Sequence, residues 1–206
     1  ITRGGLESTA LKRLFTPEVY KNRLLQGTAF ELMTPDGHFK AEEYWKINKK
    51  LEPDNFYLDT DRAWQLVQKT WLGISKNPQE DLDEARRLVL GVLEKNPDHG
   101  GTISIAATVE QMLGDFDAAC GRIDKMRKFN EEIIDIAMLA DTQRSCGDYD
   151  GSIETYEKVH RLAPHYSAWV KLYYLFAIMM KTFEEKSGNY EKAKNYAIEH
   201  SNKDYL

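Results

Sequence analysis

Gly114-Asp115-Phe116-Asp117-Ala118-Ala119 and Gly147-Asp148-Tyr149-Asp150-Gly151-Ser152 are one pattern written twice, 33 residues apart from Gly114 to Gly147. A glycine makes a tight turn, an acidic residue opens a helix, and a small residue follows on that helix. Gly188-Asn189-Tyr190-Glu191-Lys192-Ala193 is a third copy. A second signal, a helix stop on proline, recurs at Leu51-Glu52-Pro53-Asp54, Lys95-Asn96-Pro97-Asp98 and Leu162-Ala163-Pro164-His165. Pro97 and Pro164 are 67 residues apart, two units of 33 to 34. Asn130 takes the place of proline at the intervening stop, Phe129-Asn130-Glu131.

A period of ~34 residues built from two helices resembles the tetratricopeptide repeat. The fold class expected is therefore all-α, a tetratricopeptide-like α-α superhelix of about five helix pairs. The pairs are read at 17–33 and 36–51, 55–75 and 79–95, 99–113 and 115–128, 131–146 and 148–162, and 165–187 and 189–201. Thr34 is the expected N-cap before Pro35. Second helices carry a small residue after the turn at Ala41, Ala85, Ala119, Ser152 and Ala193, with a bulkier one four residues on at Trp45, Val89, Ile123 and Tyr156. Such i, i+4 pairs share a face, so the small residue admits the partner helix and the large one fills the adjoining gap. First helices show small positions at Ala29, Ala63, Ala107 and Ala140, whereas Tyr174 breaks the rule in the fifth pair. The interval from Pro53 to Pro97, 44 residues, and that from Gly147 to Gly188, 41 residues, predict longer first helices in the second and fifth pairs. Residues 1–16 are read as an N-terminal segment or linker from a preceding domain, and 17–206 as the repeat domain.

A narrower likeness concerns Phe15-Thr16-Pro17-Glu18-Val19-Tyr20, Met33-Thr34-Pro35-Asp36 through Leu51-Glu52-Pro53, and Arg161 to Tyr166. These stretches resemble the C-terminal repeat region of some multidomain bacterial adenylate cyclases. The resemblance implies a regulatory or scaffolding context and no cyclase activity, since no metal-binding aspartate pair or nucleotide site stands in these residues.

Of 206 residues, 42% are apolar and 30% charged, the formal charge is -5, and the pI is about 5.6. An acidic balance lacks the basic footprint of a nucleic-acid binder. Lys125-Met126-Arg127-Lys128 lies where positive charge favours a helix C-terminus. The apolar run from Leu172 to Met180 is too short for a bilayer, which needs ~20 residues, so no membrane insertion is expected. Cys120 and Cys146 read as buried free thiols, which, with no visible signal peptide, suggests a reducing, cytoplasmic location. His38, His99, His160, His165 and His200 show no metal-ligand spacing, and no nucleophile or phosphate-loop motif occurs. Neither a metal, a cofactor nor catalysis is expected.

A binding role remains. Projected onto the concave face that first helices line, the repeat selects Arg23, Gln26, Phe30, Tyr57, Trp64, Gln68, Thr108, Gln111, Asp141, Arg144 and Lys171 as contacts for a protein or peptide. Phe30 and Trp64 can equally be inter-helix core. The residues expected of a clamp for acidic chaperone tails are absent: Gln26, Phe30, Thr60, Trp64, Ser104, Thr108, Ala137 and Asp141 occupy those places. The fifth pair offers a second surface. Trp169, Leu172, Phe176, Met179, Met180 and Phe183 make its first helix apolar on nearly every side, either a covered core helix or a self-association contact that would give a homodimer. Three functions stay open: an interaction or oligomerisation module of a larger bacterial protein, a free-standing adaptor or secretion-type chaperone, and a small-molecule sensor.

Overall fold

The computed structural model describes residues 15–31, 34–129, 132–165 and 168–185, with isolated positions 191, 195 and 199. Among these every regular element is helical: α1 Pro17–Glu31, α2 Pro35–Leu51, α3 Phe56–Trp71, α4 Pro78–Lys95, α5 Gly100–Met112, α6 Phe116–Cys120, α7 Ile123–Phe129, α8 Ile133–Ser145, α9 Tyr149–Leu162 and α10 Ala168–Glu185. The fold class is thus all-α and built of helix hairpins, as the repeat requires.

Helix starts follow from side chains that accept the orphan first-turn amides. Thr34 Oγ1 accepts from Gly37 N–H at 3.1 Å, Asn55 Oδ1 from Tyr57 at 3.1 Å, and Asp148 Oδ1 from Gly151 at 3.0 Å. His99 Nδ1 caps α5 by accepting from Thr102 N–H, a role the sequence reading did not give it. Gly73, Gly114 and Gly147 hold φ values of 67°, 78° and 80°, a left-handed conformation that strains any residue with a Cβ. Gly73 ends α3 at Trp71, four residues before the end read from the pattern, so part of the second unit's extra length lies in the connection to α4 rather than in helix.

The chain forms two compact units, Ile1–Leu113 and Gly114–Leu206. In the first, α1 packs on α2, and α3 packs on α2, α4 and α5. Its core draws on Val19, Leu58, Ala63, Leu66, Val67, Ala85, Val89, Ile103, Ala106 and Val109. In the second, α8 and α9 form a hairpin, α10 lies on both, and α6 and α7 touch α8. There Ile136, Ala137, Ala140, Tyr156, Val159, Val170, Tyr174 and Ile178 form one cluster.

The small positions with described side chains do what the pattern requires, while Ala29 and Ala193 lie outside them. Ala41, Ala63, Ala85, Ala107, Ala119, Ala140 and Ser152 are all fully buried. In the α8–α9 hairpin they meet, and Ser152 Oγ donates to the Ala140 carbonyl at 2.7 Å. Tyr174, the exception, is buried too, its ring edge-on to His160 at 5.4 Å and Tyr156 at 6.4 Å. The fifth unit therefore fills with an aromatic ring the space that the others close by helix approach.

Two expectations fail. The second helix of the third pair is not continuous over 115–128: it breaks at Gly121-Arg122 into α6 and α7. Nor are the cysteines free. Cys120 and Cys146 are joined in a disulfide, with Cα atoms 5.8 Å apart. Their small, apolar surroundings were compatible with either state, and proximity across 26 residues decided it. The reading of a reducing location loses the thiols on which it stood.

Candidate functional site

The expected contact residues divide by what already holds them. On α1, Arg23 is buried and grips Asp61 of α3 at two points, Nε to Oδ2 at 2.5 Å and Nη2 to Oδ1 at 2.7 Å. Its guanidinium also lies over the Phe15 ring, 4.4 Å from the centroid. Burial opposes the Arg23 charge, but the Asp61 carboxylate outweighs it, so the pKa stands above its usual value. Gln26 is buried beside Asn48, whose amide donates to its Oε1 at 3.5 Å. These side chains tie helices together. The side chain of Phe30 lies outside the described residues.

Tyr57 on α3 belongs to an aromatic cluster. It stacks on Phe56 with centroids 4.2 Å apart and meets Phe15 and His99 edge-on at 5.9 and 5.3 Å. Thr108 is buried, its hydroxyl returned to the Ser104 carbonyl at 3.1 Å, and Gln111 is half-buried. Trp64 and Gln68 are different. They share a helix face with Trp71, which stands edge-on to Trp64 at 5.5 Å and is half exposed, with Leu72 exposed beside it. Sequence reasoning missed Trp71 because it lies past the repeat's usual length. A tryptophan beside a helix-ending glycine was the signal available.

In the second unit Arg144 and Asp141 pair on α8 at 2.7 Å, and the guanidinium sits 5.1 Å from the Tyr173 ring of α10. Lys171 is exposed. The structure therefore brings Asp141 and Arg144 to α10 and leaves Lys171 at the surface.

α10 carries two apolar faces on opposite sides. Val170, Tyr174 and Ile178 are buried in the cluster, Ala177 is buried on the same helix, and Tyr173 and Met179 pack at the cluster's margin. At about 100° of helix rotation per residue, Leu172, Phe176 and Met180 each point about 120° or more away from the buried Tyr174 and Ile178. These three and Phe183 form a stripe with exposures of 50, 39, 36 and 36%. The side chain of Trp169 lies outside the described residues. On the side of α10 away from Leu172, Lys181 binds Asp150 of α9 and reaches Glu185 at 3.7 Å.

Among the described residues no group of three or more His, Cys, Asp and Glu could hold a metal ion, and no helix is long and apolar enough to cross a membrane. Arg127 and Lys128, from the basic run, sit in the last turn of α7, with Arg127 paired to Asp124 and Asp148.

No protein-family model and no curated protein matches the chain. A solved tetratricopeptide repeat protein from Parabacteroides merdae does match in structure, at 16% identity and a TM-score of 0.51, over 89% of this chain and 68% of that one. At that identity the likeness concerns the fold, and it agrees with the repeat read from the glycines and prolines: the chain has a tetratricopeptide-like fold.

Proposed function

We propose that the chain is a non-catalytic protein-interaction module and that the exposed stripe of α10 is its contact. One observation carries the reading. A helix that buries one apolar face has a second, Leu172, Phe176, Met180 and Phe183, facing outward, where a solvated helix would be polar. The occupant is a protein surface of matching apolarity. A second copy is the simplest, since in a two-fold contact each stripe can pack on its own equivalent. On its resemblance to cyclase repeat regions, the module would serve as the regulatory part of a longer bacterial protein.

Light scattering across a concentration series tests the contact. The chain should form dimers, and a folded Phe176→Glu, Met180→Glu variant should remain a monomer. Folded monomers in both cases would remove self-association. The exposed Trp71, with Trp64 and Gln68, favours a second contact on α3 for a peptide partner. A Trp71→Ala variant that bound the partner as well as the parent chain would dismiss it.

A further inference from the structure

We propose that Cys120–Cys146 is a reversible thiol–disulfide clasp that holds the second helix of the third pair in two pieces. The bond joins the last residue of α6 to the C-cap of α8. Residues 116–129 contain no proline, and their pattern is that of one helix, yet the break falls at the residue after Cys120. The distortion is slight: Gly121 keeps φ −61° and ψ −14°, and its N–H still reaches the Asp117 carbonyl at 3.0 Å. Only at Arg122 does the ladder slip, to the Ala119 carbonyl at 3.1 Å. Beyond the break, α7 is held separately through Arg127 and Asp148, the residue that also caps α9. Both cysteines are half-buried, within reach of a small thiol.

The exchange balances with a dithiol as reductant. One of its thiolates attacks a clasp sulfur and expels the other cysteine as thiolate. Its second thiolate resolves the mixed disulfide, leaving two protein thiols and an oxidised reductant. Glutathione disulfide re-forms the bond: one protein thiolate attacks it and expels a glutathione thiolate, and the second protein thiolate then expels the other glutathione. Release lets α6 and α7 join. Ile123 and Asp124, in the first turn of α7, then find acceptors in Ala119 and Cys120.

Hydrogen exchange on the full chain, oxidised and then reduced with dithiothreitol, tests this, with intact mass reporting the bond. Reduction should add two hydrogens, leave residues 132–165 folded, and slow exchange at Ile123 and Asp124 at least tenfold. Glutathione disulfide should restore the fast pattern. Cys120→Ser should show the slow pattern in either buffer. The proposal fails if the oxidised chain gains no mass on reduction, if these amides exchange unchanged or faster, or if residues 132–165 unfold. The last result would make the bond a structural staple.

Discussion

Gly151 shows how one residue can reverse a general rule. It lies in α9, where alanine ordinarily favours the helix over glycine by about 1 kcal/mol. A Cβ here would run into the Asp148 carboxylate and the Gln143 amide, whose own contact at 3.0 Å holds the cap together. Gly151→Ala should therefore destabilise the chain, by up to about 1 kcal/mol net, the loss of the cap (up to about 2 kcal/mol) outweighing the helix-propensity gain; a rise in the urea midpoint would disprove the clash. The Arg23–Asp61 pair gives a second test. Asp61→Asn leaves a buried guanidinium without its counter-charge and should cost about 2–4 kcal/mol. The double variant Arg23→Met, Asp61→Leu should cost less than that single change, which denaturation of both would show. The glycines and small residues were legible in sequence because each acts within a few positions of itself. Arg23 was not: its partner is 38 residues away, so a side chain that reads as a contact for another molecule is consumed inside the fold.

At the scale of the element, α10 was recognisable as doubly apolar, but only packing shows which side is used. Substitutions on its two faces should separate cleanly. On the monomeric Phe176→Glu, Met180→Glu background, Tyr174→Ala, in the cluster, should cost about 3 kcal/mol, while Leu172→Ser on the stripe should stay within about 0.5 kcal/mol. Equal losses in thermal unfolding would mean the stripe is covered. The interrupted α6–α7 segment was illegible for a different reason. Helical pattern and the absence of proline argue for continuity, and the break lies beside a covalent bond to a residue in another helix.

For the molecule as a whole, acid should weaken the fold before any carboxylate titrates. Burial lowers the pKa of His38, His99 and His160, with Lys69 assisting at His38 and Lys171 at His160, while Asp61 and Glu157 oppose it at His99 and His160. The unfolded chain then takes up protons first, near pH ~6.5, and stability falls as pH drops from there through the folded values. Melting temperature should be flat above pH 7 and decline below about 6.5, and His160→Gln should flatten part of that decline. Glu42, held below its usual range by Lys46 and Arg62 against the effect of burial, adds a further loss below about pH 4.5. The disulfide also changes what it means to cut this chain. It encloses residues 121–145, including the exposed Lys125, Arg127 and Lys128 of α7. A trypsin-like protease that nicks there would leave both fragments on one molecule. The protein would keep its size on a non-reducing gel and come apart only when a thiol was added.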